Sequence, residues 1–189
     1  MPPPECHLKA RVPCPWIVRF APLLPVRARV LDVACGGGRH ARYFLEQGAA
    51  LTCVDKDVSF VGDLVGQAEI VEIDLESGPP WPFAGRTFDA VVVVNYLFRP
   101  LIPFLIDAVA DRGLFLYETY AAGNERYSRP SNPDHLLRPG ELLDAVAGRF
   151  QVVAYEAGIE QRPLGLRVIE RICAVRSAEP ILLPPQHPS

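Results

Sequence analysis

Val30-Leu31-Asp32-Val33-Ala34-Cys35-Gly36-Gly37-Gly38-Arg39-His40 is the stretch that decides the fold. It opens as a short apolar strand interrupted only by Asp32. Three glycines follow, and 39–47 is spaced as a helix closed by Gly48, a residue suited to the left-handed end of a helix. A strand, a glycine turn and a helix in that order bring backbone close to a ligand. They also aim the first helical N–H groups at it.

Outward from this unit, strand and helix signals alternate. After a short amphipathic turn or helix over 16–21, strands are expected at 29–33, 50–54, 69–73, 88–94 and 113–118. Helices are expected at 39–47, 59–65, 101–110 and 141–146. The run Phe88-Asp89-Ala90-Val91-Val92-Val93-Val94 is almost wholly apolar, which suits a parallel strand covered on both faces. Two last strands, 151–155 and 166–175, follow with no helix between them, joined by a turn-rich segment, and read as a hairpin at one sheet edge. The expected fold is α/β: a Rossmann-like, seven-stranded, mostly parallel sheet with helices on both faces and a C-terminal antiparallel hairpin.

The chain has 189 residues, 49% of them hydrophobic, and a formal net charge of −3. That length suits one domain, expected over 16–177, between a flexible segment at 1–15 and a flexible Pro-rich tail at 178–189. The charge gives no basic stripe for nucleic acid. The longest apolar stretch, 88–98, falls short of the roughly 20 residues a membrane helix needs. The N-terminus lacks the pattern of a secretory signal. Five scattered cysteines with no CxxC pair suit a reducing, cytoplasmic setting rather than a disulfide framework. Cys6, His7 and Cys14 match no zinc spacing, so no metal is expected.

Gly36-x-Gly38-x-x-Ala41 would pass as a dinucleotide fingerprint, and Asp55 ends the second strand where ribose hydroxyls of either a dinucleotide or S-adenosylmethionine would lie. Asp32 separates the two. A carboxylate at the end of the first strand repels a pyrophosphate and welcomes an ammonium or a sulfonium. Asp74 ends the third strand, well placed for an adenine amino group. Three acids at three strand ends thus face one crevice.

With those residues in place, 30–38 resembles motif I of the class I S-adenosylmethionine-dependent methyltransferases, with Ala34 where their first glycine is usual. Asp55 resembles their ribose-binding acid, Asp74 their adenine-side acid, and 88–97 their fourth motif. The chain is further similar to the tellurite-resistance (TehB-like) methyltransferases at Cys35-Gly36-Gly37-Gly38-Arg39-His40, Val54-Asp55-Lys56-Asp57, Pro139-Gly140-Glu141-Leu142 and Val153-Ala154-Tyr155-Glu156. That resemblance implies S-adenosylmethionine as cofactor. It also implies that Arg39 helps to hold the methionine carboxylate. The family has a histidine before an arginine near the last hairpin; here the pair is Gln161-Arg162. The expected cofactor-binding set is Asp32, Ala34, Cys35, Gly36, Gly38, Arg39, Asp55, Lys56, Asp74, Leu75 and Asn95.

Methyl transfer needs alignment more than a catalytic motif. Asn95-Tyr96-Leu97-Phe98 is not the Asn-Pro-Pro-Tyr of amino methyltransferases. Asn95, Tyr96 and His135 are the catalytic candidates. The segment 121–138 is too long and polar for an ordinary connection and reads as a lid. Tyr120, Arg126, Tyr127, Arg129 and Arg162 are candidates to bind a small, anionic acceptor. The alternatives are an RNA or protein methyltransferase, an NAD-dependent oxidoreductase, or a noncatalytic subunit that keeps the fold.

Overall fold

A computed structural model of the chain describes residues 12–78, 80–163 and 165–183. Most of 1–15 and half of the tail, with Cys6 and His7, lie outside the described residues.

The elements run in the alternation read from the sequence. They are α1 (Pro15–Phe20), β1 (Arg29–Val33), α2 (Arg39–Glu46), β2 (Ala50–Asp55), β3 (Glu69–Glu72), β4 (Phe88–Val94), α3 (Ile102–Asp107), β5 (Val109–Tyr120), α4 (Glu141–Val146), β6 (Gln151–Arg162) and β7 (Gly165–Val175). The seven strands form one sheet in the order β3-β2-β1-β4-β5-β7-β6. The first five neighbours pair in parallel; β7 is antiparallel to both β5 and β6.

Side-chain alternation divides the core between the two faces. Leu31, Val33, Val91, Val93, Phe115 and Tyr117 pack with Leu105 and Ile106 of α3 and Leu142 and Val146 of α4. Val30, Cys53, Ala90, Val92, Leu114 and Leu116 pack with Trp16, Ile17 and Phe20 of α1 and Ala41 and Phe44 of α2. β4 is buried on both faces, as its valine run requires. Among the described residues, no helix is long and apolar enough to cross a membrane.

Three elements differ from the sequence reading. The segment 59–65 is a kinked 3-10 helix over Ser59–Leu64, not an α-helix; the β-branched Val61 and the adjacent Gly62 both disfavour α-helix. The helix expected over 101–110 is shorter, with a 3-10 turn at Arg99–Leu101, α-helix only over Ile102–Asp107, and Val109 already in β5. β5 then irregularly steps in register, from Phe88↔Val109 to Ala90↔Leu114. Gly113 sits at this step because a Cβ there would meet the carbonyl oxygens of Ala110 at 2.9 Å and Phe88 at 3.0 Å. Finally, 156–162 is not a turn-rich link but the second half of β6, paired with β7 through Arg162↔Gly165.

Candidate functional site

The chain reverses sharply after β1. Ala34, Gly36 and Gly38 all have positive φ, at 52°, 51° and 69°. At Gly38 a Cβ would stand 2.6 Å from Val61 Cγ1, so the helix start can lie against the 3-10 helix only with glycine there. The loop is pinned from β2: Asp55 Oδ2 accepts the Gly36 N–H at 2.7 Å, and Oδ1 accepts the Asp57 N–H at 3.1 Å. Arg42 donates to the Gly37 carbonyl and pairs with Asp63.

Two adjoining cavities open at the carboxyl ends of the parallel strands. The smaller, about 190 Å³, is lined by Asp55, Lys56, Asp74 and Leu75. The larger, about 680 Å³, has the loop residues Cys35, Gly36 and Arg39 on one wall and Asn95 and Tyr120 on another. Arg129 and His135 line it from the segment 121–138. Ala34, Glu76 and Tyr96 belong to both cavities. Asp32 and Gly38 lie behind the loop, buried. Arg126, Tyr127 and Arg162 are exposed and line neither cavity.

Asp32 is 1% exposed, and its Oδ2 has no hydrogen-bond partner among the described residues. Burial pushes its carboxyl up to about 7; Arg39 opposes the rise and Asp55 adds to it. An orphaned carboxylate oxygen beneath the loop suits a cationic occupant and not a pyrophosphate. Burial and the neighbouring Glu76, which shares a hydrogen bond with it, push the Tyr96 hydroxyl upward.

The segment 121–138 is ordered around Asn124, which is fully buried. Its Nδ2 donates to the carbonyls of Ser128 and Pro130 at 3.2 and 3.0 Å. Its Oδ1 accepts the Val168 N–H of β7 at 3.0 Å. Arg99 holds the far end, donating to the carbonyls of Asp134 and Leu136 at 2.9 and 2.7 Å. Its guanidinium also pairs with Glu141 at 2.7 Å. Ends fixed in this way carry Arg129 and His135 to the cavity wall.

Beneath the cavity lies an ion network. Arg167, 7% exposed, donates to Glu118 at 2.7 Å and to Glu160 at 2.7 Å. Its other amino group reaches Asn95 Oδ1 at 3.5 Å, and its guanidinium lies 5.9 Å from the Tyr120 ring centroid. Arg171 bridges Glu118, Glu156 and Glu160.

Sequence reasoning missed Glu76, His40, Thr119, Ser131 and Asn132, all of which line the larger cavity. Glu76 stands two residues past the strand-end Asp74, and His40 lies inside the quoted glycine stretch, so position could have suggested both.

The turn, the paired acids of the smaller cavity and the orphaned Asp32 oxygen together fit S-adenosylmethionine. Residues 30–110 match the model of a family described as a methyltransferase domain. That segment holds the glycine loop, the strand-end acids and β4, and the rest of the sheet is built around it.

Solved structures share the fold at low identity. TehB from Haemophilus influenzae superposes with a TM-score of 0.74 at 14% identity, covering 92% of this chain and 65% of TehB. This chain therefore spans about two thirds of TehB's length. An S-adenosylmethionine-dependent methyltransferase from Methanosarcina mazei gives 0.64 at 13%, covering 89% of this chain and all of that one, 100%. The 1,6-didemethyltoxoflavin-N1-methyltransferase of Burkholderia thailandensis, solved with 1,6-didemethyltoxoflavin and S-adenosylhomocysteine bound, gives 0.58 at 18%, covering 92% and 80%. No curated protein sequence matches the chain.

Proposed function

We propose that the chain transfers the methyl group of S-adenosylmethionine to a small anionic acceptor held against the segment 121–138. One observation carries this reading: the cavity of about 680 Å³ is lined both by the glycine loop and by Arg129 and His135. That size is typical of small-molecule sites. The likeness to an enzyme solved with 1,6-didemethyltoxoflavin supports a small acceptor. The net charge of −3 argues against the RNA alternative. The four described cysteines are buried free thiols, which supports a cytoplasmic setting.

In this reading Asp55 holds the ribose hydroxyls and Asp74 the adenine amino group. Arg39 meets the methionine carboxylate, and Asp32 faces the ammonium from below. The cofactor supplies a methyl group on an excellent leaving group. The chain aligns the acceptor with it and excludes water. Asn95, at φ 59° at the end of β4, has its Oδ1 turned toward Arg167. Its amide N–H groups are thus free to meet an acceptor oxygen. Arg129 neutralises the acceptor's charge, and His135 stands where a base would act.

The donor is tested by calorimetry. S-adenosylhomocysteine binds and NAD does not; binding of NAD alone would return the chain to the oxidoreductases. For the acceptor side, small carboxylates and oxyanions are screened for release of S-adenosylhomocysteine. With the acceptor found, Arg129→Ala lowers kcat/KM about 10–100-fold, the loss of a charge-assisted contact, while donor affinity stays as in the wild type. Arg126→Ala, on the same segment but off the cavity, stays within about twofold. Equal turnover in the wild type and Arg129→Ala would remove the segment from acceptor binding.

A further inference from the structure

We propose that His40 binds the methionine carboxylate of the donor, giving a hydrogen bond from Nδ1 beside Arg39. The inference rests on the donor reading above and adds a residue to it.

His40 is the second residue of α2 and is 4% exposed, yet it lines the larger cavity. Its Nε2 accepts the backbone N–H of Cys14 at 3.2 Å. A backbone N–H can only donate, so Nε2 carries no proton. In a neutral imidazole the proton is then on Nδ1. Burial, with Arg39 beside it, holds the ring's pKa down near 3, so the ring is neutral at physiological pH. Nδ1 has no hydrogen-bond partner among the described residues. Nor is Nδ1 one of the buried atoms left without a partner; it is accessible, and the open space that His40 lines is the larger cavity, from which a partner can come.

The partner must accept a hydrogen bond. Arg39 lines the same cavity, and the loop at Gly36 and Gly37 leads into the positive end of α2. These groups favour an anion. The acids Asp55 and Asp74 fix the adenosine end of the donor in the smaller cavity. Ala34, Glu76 and Tyr96 border both cavities, so a ligand continuing past them brings its amino-acid end into the larger one. The carboxylate is the anionic part of that end. His40 thus has two jobs on opposite ring nitrogens: Nε2 anchors the entry to α1 through Cys14, and Nδ1–H serves the donor.

Two variants separate the jobs. His40→Asn keeps a donor close to the Nδ1 position and removes the acceptor for Cys14. His40→Gln reaches the Nε2 position and removes the donor to the cavity. Two ligands are compared by calorimetry: S-adenosylhomocysteine, and 5′-methylthioadenosine, which has no carboxylate. His40→Gln is expected to lose about tenfold or more in affinity for S-adenosylhomocysteine and nothing for 5′-methylthioadenosine. His40→Asn stays within about threefold for both, even where its melting temperature falls. Equal losses in the two variants, or equal losses for the two ligands, would mean that His40 acts only by packing and would overturn the proposal. In the wild-type protein, nitrogen NMR should find the proton on Nδ1 and the signal shifted by S-adenosylhomocysteine but not by 5′-methylthioadenosine; a proton on Nε2 overturns the proposal without any variant. If the wild type binds neither ligand, the donor reading itself fails. If it binds both and the variants behave alike, only the role of His40 fails.

Discussion

Asp55→Ala is expected to lower affinity for S-adenosylhomocysteine by about 10²–10³-fold while the protein stays folded. The carboxylate has about four lone-pair positions. One receives Gly36 N–H at 2.7 Å and a second receives Asp57 N–H at 3.1 Å, which leaves two for the ribose hydroxyls. Hydrogen bonds to a charged group contribute about 1.5–3 kcal/mol each, so losing the two to ribose accounts for a large part of the effect. Losing the bond to Gly36 adds to it, because the loop then samples conformations that do not meet the donor. The side chain is only half-buried at a strand end, so the melting temperature should change by no more than a few degrees. Calorimetry and a melting curve on the same preparation check both halves. An unchanged dissociation constant in a folded variant would remove Asp55 from the donor site. Asp74→Ala, whose carboxylate is exposed, should cost less, about tenfold.

Much of this architecture was legible because its signals are local. The valine run of β4 can be buried on both faces only in a sheet covered on both faces. The glycines at 36 and 38 stand where the backbone turns left-handed. Asp55 and Asp74 were legible as neighbours at one cavity because polar residues just at or past the ends of adjacent parallel strands fall at one edge of the sheet. What could not be read depends on which side chains the folded chain sets against one another. The stretch Glu156 to Arg162 looks like a polar turn by itself. It is a strand because Glu156 and Glu160 lie opposite Arg171 and Arg167 of β7. The position of His40 in the glycine stretch hinted at the site, but its anchor, Cys14, is 26 residues away and could not be read. In 121–138 the sequence offered arginines without saying which faces inward. The burial of Asn124, with bonds to Ser128, Pro130 and Val168, decides that Arg129 lines the cavity and Arg126 does not.

The largest effect on stability is expected from Glu118→Ala. Glu118 lies near the end of the buried part of β5 and is 0% exposed. Both oxygens are engaged: Oε1 by Arg167 at 2.7 Å, and Oε2 by Arg171 at 3.2 Å and by the Cys14 thiol at 3.1 Å. Removing one partner of a buried ion pair costs about 3–5 kcal/mol, because the remaining charge stays buried without compensation. Glu160 still meets Arg167 and Arg171 in the variant, which places the loss at the lower end of that range. For a domain of this size each kcal/mol moves the melting temperature by about 2–4 °C, so a fall of about 10 °C is expected. Glu118→Gln retains one acceptor oxygen and should fall by less. Glu156→Ala is the control: its side chain is 45% exposed in its pair with Arg171, and exposed pairs contribute little. The fall should also reach the site, since Arg167 no longer held by Glu118 loosens its contacts with Asn95 and the Tyr120 ring. Acceptor turnover in Glu118→Gln should therefore drop further than donor affinity does. If Glu118→Ala melts within about 2 °C of the wild type, the network is no more than a surface cluster, and Asn95 owes its orientation to something else.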